Sequence, residues 1–326
     1  MVQTTPFAVG IIGLGRAGLR RYKALQADPV VRVVWGADPA LDDITPETQF
    51  SDSMQLFQDP AEALALAPVD ALVISTPPAL HARLVTDALD CGIRNFLVEK
   101  PLTCSAAAAR HLEQVLEGRN GYLKVGANLR HFPEIKALAE VIAEGTLGRI
   151  MKVVLSIGHD GKSLPGWGEQ VALAGGGTLL DNGVHILDLA AWMGLVPDQA
   201  ELSASLIEGS PGVDLHCEWE YRTSDYTGSF SSSWQRTDGI YFEAEIQGEA
   251  ATATLAVGRV SEPLTVMRNG VAEYPAIPEG GDSWGDDTRS FVRALTTGAP
   301  AGPAVTEAAT VLARVEDIYY AARLRG

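Results

Sequence analysis

An apolar run, Phe7-Ala8-Val9-Gly10-Ile11-Ile12, passes directly into Gly13-Leu14-Gly15-Arg16-Ala17-Gly18. A stretch follows whose apolar residues, Ala17, Tyr22, Ala24 and Leu25, share one helix face. Handing a strand over to a helix through G-x-G-x-x-G constrains this chain more than any other feature, because each glycine answers a separate steric need. Gly13 permits the tight turn, Gly15 lets a pyrophosphate reach the backbone, and Gly18 lets the helix pack closely on the strand. Glycine is common here, at 33 residues, so the motif takes its weight from the strand before it and the helix after it. The pattern predicts a dinucleotide at the first turn, with Gly13, Gly15, Arg16, Ala17 and Gly18 around the phosphates. Asp38 closes the next apolar run, Val31–Ala37, and lies 38 − 18 = 20 residues past Gly18. An acid there accepts hydrogen bonds from a ribose 2′-hydroxyl and repels a 2′-phosphate, so NAD is expected rather than NADP. Arg16 and Arg32 leave NADP open, and Asp38 before Pro39 also suits a plain turn.

The first third continues the alternation. Strands are expected at Ala71–Ser75, Phe96–Val98 and Tyr122–Ala127, and helices at Leu80–Asp90 and Ser105–Leu116. Alternating β and α elements imply a doubly wound parallel sheet with helices on both faces. The texture then changes. Leu215, Cys217, Trp219 and Tyr221 alternate with His216, Glu218, Glu220 and Arg222, the period of a strand with one buried face. Asn269-Gly270 between two short runs is a hairpin signal, and Gly248-Glu249 is a second candidate turn. Residues 150–276 therefore read as a mostly antiparallel sheet, one face on helices and the other left for a partner. Trp219 and Tyr221 belong to the core or an interface rather than to a ligand platform. Helices are expected at Thr288–Thr297 and Val305–Leu324. With 326 residues, two domains are expected. They are 1–127, dinucleotide-binding, and 128–326, α+β, for substrate and self-association. The closing helices are free to pack on either.

Asp and Glu outnumber Lys and Arg by 41 to 25, a formal charge of −16. Nucleic acid and anionic membrane attract basic surfaces, so neither is expected as a partner. A phosphate-bearing ligand stays possible, since backbone N–H groups bind phosphate without net positive charge. Cys91, Cys104 and Cys217 are too scattered for a disulfide framework or a C-x-x-C metal site. With no signal-peptide pattern and no run of about 18 apolar residues, a cytoplasmic protein is expected.

Three separated motifs carry a resemblance. Ser75-Thr76-Pro77-Pro78 through His81 follows the third strand, and Glu99-Lys100-Pro101 follows the fourth. Gly175-Gly176-Gly177-Thr178-Leu179-Leu180-Asp181-Asn182-Gly183-Val184-His185-Ile186-Leu187-Asp188 opens a helix in the second half. Together they resemble the glucose–fructose oxidoreductase / inositol dehydrogenase (Gfo/Idh/MocA) family over essentially the whole chain. Asn128, Arg130 and Pro133 are similar to that family's link between domains. Asn182 departs from the apolar residue expected at its position.

The resemblance implies a nicotinamide cofactor, a sugar, cyclitol or sugar-derivative substrate, and a homodimer or homotetramer formed through the C-terminal sheet. It extends the cofactor contacts to Ser75, Thr76, Pro77, His81, Glu99, Lys100 and Asn128. It matches Lys100, Asp181 and His185 to catalytic positions. Oxidising an alcohol removes a hydride from carbon and a proton from oxygen, and histidine is the usual proton carrier near neutral pH. His185 is assigned that proton, Lys100 the charge on the reacting oxygen, and Asp181 the orientation of His185 or a substrate hydroxyl. Lys100 as proton carrier is the alternative, since burial readily lowers a lysine pKa. Arg130, His159, Trp167, Asn182 and Tyr241 are candidate substrate contacts, and Trp284 a further pocket wall. The stretch from His159 to Ala174 reads as a loop controlling access. Lys100–Pro101 is a candidate cis peptide. Asp181, His185 and Asp188 recur at i, i+4 and i+7, but without H-E-x-x-H no metal is expected. Asp188 is read as a cap or a pair within its helix. Two rival functions stay open: glycoside cleavage assisted by a retained NAD, and a non-catalytic dinucleotide-binding regulator.

Overall fold

The structure, a computed structural model, describes residues 5–44, 50–161, 164, 166–210 and 212–323. The chain forms two compact units. The first comprises Met1–Asn128 and Gly281–Ala309, the second Leu129–Gly280 and Thr310–Gly326.

In chain order the elements begin β1 (Phe7–Ile12), α1 (Arg16–Gln26), β2 (Val31–Ala37), β3 (Gln55–Phe57) and α2 (Pro60–Leu66). They continue with β4 (Ala71–Ile74), α3 (Pro78–Asp90), β5 (Asn95–Val98), α4 (Ala106–Gly118) and β6 (Tyr122–Val125). Then come α5 (Pro133–Ala143), β7 (Ile150–Gly158), α6 (Val171–Ala174), a π-helical turn at Leu179–Gly183 and α7 (Val184–Trp192). Strands β8 (Glu201–Ser210), β9 (Val213–Arg222), β10 (Thr227–Ser233) and β11 (Ile240–Gly248) follow, then β12 (Thr252–Gly258), β13 (Glu262–Arg268) and β14 (Val271–Glu273). Helices α8 (Ser283–Thr297) and α9 (Val305–Arg323) close the chain.

The first unit is a six-stranded parallel sheet in the order β3-β2-β1-β4-β5-β6. Strand order reverses beside β1, so the carboxyl ends of β1 and β4 border the crevice where ligands of such sheets sit. Its core packs Val9, Ile11, Leu14, Tyr22, Leu25, Val73 and Leu97 with Phe291 and Val292 of α8. The Asp282 side chain caps α8 on the Trp284 N–H at 3.1 Å, and Gly298 ends it in the left-handed region.

Beside this core lies a buried ionic cluster. Arg21, Lys124 and Asp287 are wholly buried and Glu99 nearly so. Arg21 Nε donates to Glu99 Oε1 at 2.7 Å, and Arg21 Nη2 lies 2.6 Å from Asp287 Oδ2. Lys124 pairs with the other Asp287 oxygen, and Arg21 Nη1 donates to Thr288 Oγ1 at 3.0 Å. Two cations meet two anions, so the cluster closes without net charge. Burial pulls the Lys124 ammonium down from its ordinary range against the attraction of Asp287. Gly126 belongs to the arrangement, because a Cβ there would lie 2.6 Å from Arg21 Nη2. Glu99, expected to touch cofactor, is therefore a charge partner of Arg21. Trp284, expected as a pocket wall, lies under the Arg20 and Arg21 guanidinium groups, 5.3 and 4.8 Å from their carbons.

The second unit holds eight strands in the order β14-β13-β12-β11-β7-β10-β9-β8. All neighbours are antiparallel except β7 and β10, which run parallel from Thr227 opposite Lys152 to Ser233 opposite Gly158. Asn269 and Gly270 both have positive φ, 49° and 78°, as a two-residue hairpin turn between β13 and β14 requires. On β9 the buried row is Cys217, Trp219 and Tyr221. The Trp219 ring stacks on Phe230 of β10 at 5.7 Å.

Removing one member of a buried ion cluster strands its partners. Asp287→Ala is therefore expected to cost about 3–5 kcal/mol of stability, whereas the double change Asp287→Leu with Lys124→Met recovers much of the loss. Chemical denaturation of the three proteins checks this; equal stability of wild type and Asp287→Ala would contradict it.

Candidate functional site

Each unit contributes its own candidate residues. In the first, the turn after β1 is set by close backbone approach. A Cβ on Gly13 (φ +89°) would meet the Ser75 carbonyl oxygen at 2.5 Å, and one on Gly18 would overlap the Gly13 carbonyl oxygen. Gly15 differs: nothing lies within 4 Å of its would-be Cβ, and it stands at the N-terminus of α1 without a side-chain cap. The unused N–H groups and the positive end of the helix dipole leave this position suited to phosphate. Arg16 beside it is exposed and Ala17 half-buried.

Asp38 holds the turn from the end of β2. Its Oδ2 accepts from the Leu14 N–H at 2.7 Å and its Oδ1 from the Ala40 N–H at 2.9 Å. Each oxygen keeps acceptor capacity for a ribose diol. At the carboxyl end of β4, Ser75 Oγ and Thr76 Oγ1 are buried without a partner among the described residues. Unpaired hydroxyls and open space beside Gly15 fit a nucleotide laid across this edge. Pro77 precedes α3 in extended conformation, and Asn128 is buried at the end of the unit.

His81 overturns its expected role. It is wholly buried, with Nδ1 3.1 Å from both the Pro101 and Leu102 carbonyl oxygens and Nε2 2.8 Å from the Thr76 carbonyl oxygen. Both nitrogens are committed to backbone, so none is offered to a cofactor ribose. The ring straps the segment after Lys100 to the end of β4. Burial lowers its pKa, against the surrounding backbone carbonyls, which favour the protonated ring. Lys100 is half-buried immediately after β5, and its bond to Pro101 is cis.

In the second unit, Asp181 and His185 do not share one regular helix. Asp181 lies within the π-helical turn, and His185, 6% exposed, lies in the first turn of α7. A π turn adds a residue per turn and so re-aims side chains relative to α spacing. Asp181 Oδ2 accepts from Trp234 Nε1 at 3.2 Å. Asn182 is buried, and its Nδ2, like Thr178 Oγ1 and Ser232 Oγ, lacks a partner among the described residues.

Arg130 was expected to meet substrate. Instead it forks onto Asp188, Nε to Oδ2 at 2.8 Å and Nη2 to Oδ1 at 2.6 Å. Asp188 thus pairs with a residue outside its helix. The bidentate geometry satisfies both planar groups. His159 is half-buried, and its Nδ1 accepts from the Gly161 N–H at 3.0 Å. Trp167 is half-buried in the same stretch. That stretch includes the short helix α6, and Lys162, Ser163 and Pro165 lie outside the described residues. Tyr241 occupies a bulge of β11, between residues paired to Gly258 and Val257. Among the described residues no group of three His, Cys, Asp or Glu is placed to hold a metal, and no helix is long and apolar enough to cross a membrane.

Sequence reasoning missed Asp214 and Trp234. A bulge explains the first: Ile207 faces His216 while the next residue, Glu208, faces Asp214. Leu215 is the extra residue, so Asp214 turns from the polar row to the buried face, where it is 1% exposed.

Two expectations follow. Gly15→Ala leaves the thermal midpoint within about 2 °C and weakens NADH binding, read by fluorescence titration, at least tenfold. Gly18→Ala lowers the midpoint itself, since its methyl has no room. A Gly15→Ala protein that binds NADH normally contradicts the cradle. For His81, the folded pKa lies below the unfolded value of about 6.5, so between the two the unfolded chain binds more protons. The His81 contribution to stability is complete above about pH 6.5 and is lost as pH falls below it. Denaturation midpoints at pH 7.5 and pH 5 are expected to differ less in His81→Gln than in wild type; equal differences contradict this.

Comparison with known proteins agrees with these two halves. Residues 7–127 match the oxidoreductase family with an NAD-binding Rossmann fold, and residues 135–254 match the GFO/IDH/MocA C-terminal domain. The rhizopine catabolism protein MocA of Rhizobium meliloti is 27% identical over 227 residues, 66% of this chain and 68% of its own. A levoglucosan dehydrogenase of Pseudarthrobacter phenanthrenivorans is 27% identical over 57% of this chain, and that match spans half of the relative's length. Among solved structures, GenD2 from gentamicin A biosynthesis in complex with NAD is 25% identical, with a TM-score of 0.82 over 98% of this chain and 95% of GenD2. A parallel sheet with its glycine turn, the second sheet, and matches to both domains together place the chain in the Gfo/Idh/MocA family of NAD-binding oxidoreductases.

Proposed function

We propose that the protein is an NAD(H)-dependent oxidoreductase acting on a hydroxyl or keto carbon of a neutral sugar, cyclitol or sugar derivative. The observation that carries this reading is the pair of Asp181, held by Trp234 on a π turn, and the nearly buried His185 at the start of the next helix. When bound, the nicotinamide supplies a hydride acceptor or donor. The chain's part is the proton and the charge. His185 takes the hydroxyl proton during oxidation and returns it during reduction, the role for which histidine is the usual side chain. Asp181, an acceptor-only group when ionised, orients His185 or a neighbouring substrate hydroxyl. Lys100, at the carboxyl end of β5, hydrogen-bonds the reacting oxygen and stabilises its developing negative charge. A neutral polyol suits a chain of net charge −16 better than a polyanion does. The levoglucosan dehydrogenase among its relatives supports a sugar-like substrate.

A screen of cyclitols, pyranoses and anhydrosugars with NAD, followed by NADH absorbance, tests the proposal. At least one compound is expected to turn over. With it, Lys100→Ala and His185→Ala are expected to lower kcat by about 10²-fold or more while NADH affinity in His185→Ala stays within about threefold. Absence of turnover across the screen, or variants with wild-type kcat, would overturn it.

A further inference from the structure

The glycine run before Asp181 has an evident partner. Asp214 of β9 is 1% exposed, and its carboxylate is filled by donors. Oδ1 accepts from the Gly177 N–H at 3.0 Å and from the Tyr319 O–H at 2.6 Å, and Oδ2 accepts from the Leu179 N–H at 2.8 Å. Room for these contacts comes from glycine. A Cβ on Gly177 would overlap the Asp214 backbone, and one on Gly176 would lie 2.6 Å from Tyr319 Oη. Burial and the Asp214 charge both push the Tyr319 phenol up, so it remains a donor across the working range of pH. Next along β9, the Leu215 carbonyl accepts the Trp234 N–H at 2.8 Å, and the same tryptophan donates through Nε1 to Asp181.

We propose that Asp214, backed by Tyr319, is a positioning pair that fixes the backbone from which Asp181 and His185 project. The inference rests on the catalytic reading of those two residues. Two of the donors on Asp214 are backbone N–H groups within four residues of Asp181, on the strand side of the π turn. The third comes from α9, so a helix remote in sequence reports on the same carboxylate. A buried carboxylate with three donors is costly to disturb, because each donor left unpaired loses its hydrogen bond without regaining water. Asp214→Asn turns one acceptor into an NH2 group facing a donor. Tyr319→Phe removes one donor and keeps the ring.

Hydrogen exchange of the peptide covering residues 177–186 in the NADH-bound enzyme reads the clamp without any need for turnover. Kinetics on the compound identified by the screen above read its consequence. In Asp214→Asn, exchange in that peptide is expected to rise at least tenfold and kcat to fall at least thirtyfold. KM and NADH affinity should stay within about threefold, and the pH–kcat profile should shift. In Tyr319→Phe, chosen in case the first variant does not fold, exchange rises and kcat falls about three- to tenfold. Raised exchange with unchanged kcat and pH profile would reduce Asp214 to a structural role and overturn the proposal, as would unchanged exchange in both variants. If the wild type turns over nothing, the catalytic reading fails, and with it the positioning role, while exchange still reports whether the clamp holds the turn.

Discussion

Both units depend on places where one stretch of backbone lies against another with no side chain between. In the first, α1 approaches the turn after β1 so closely that a methyl at Gly18 would overlap Gly13. In the second, the run before the π turn lies against β9, and a methyl at Gly177 would overlap Asp214. In each a carboxylate from a neighbouring strand pins the turn. Asp38 receives the Leu14 N–H, and Asp214 receives those of Gly177 and Leu179. Glycine alone leaves a turn many conformations. A charged acceptor on its N–H groups selects one, and the atoms that matter for ligands are presented from it.

The buried charges show how an acidic chain handles its cations. With 25 basic against 41 acidic residues, most acids remain on the surface. The cluster of Arg21, Glu99, Lys124 and Asp287 is nonetheless neutral, because an uncompensated charge at that depth is expensive. It reaches from α1 to the residue before Lys100 and to α8. A helix from the far end of the chain therefore completes the unit that begins the chain. That arrangement anchors the root of Lys100 through Glu99, while His81 holds the segment after it.

How much of this was legible in the sequence follows from the range of the interactions. Gly13, Gly15 and Gly18 carry their meaning within six residues, and so does Asn269-Gly270. The three-residue strand β3 and the short α2 went unread because a run so brief has no period to detect. The π turn at Asp181 breaks helical spacing, and the bulge at Leu215 breaks strand spacing, so period counting does not reveal how Asp181 is aimed or that Asp214 is buried. The partners of Arg21 and Arg130 lie 58 to 267 residues away, and the ring of His81 reaches Pro101 and Leu102, 20 and 21 residues on, as well as nearby Thr76. Arg130 and His81 looked available for ligands because the groups that occupy them are invisible to local pattern.

The unpaired polar atoms give the last step. Eight buried side-chain nitrogen or oxygen atoms lack a hydrogen-bond partner among the described residues, one of them, Arg21 Nη2, being held instead by its ion pairs with Glu99 and Asp287. Five of them, on Ser75, Thr76, Thr178, Asn182 and Ser232, lie at the β4 edge or around the π turn. Each such atom costs on the order of 1–3 kcal/mol relative to a satisfied one. A fold selected for stability alone would have apolar side chains there, as it does along Ala71–Ile74 just before Ser75. Their concentration beside the glycine turns is the pattern expected where polar groups are kept for a ligand to complete. It falls in both units, at the β4 edge beside the glycine turn in one and around Asp181 in the other.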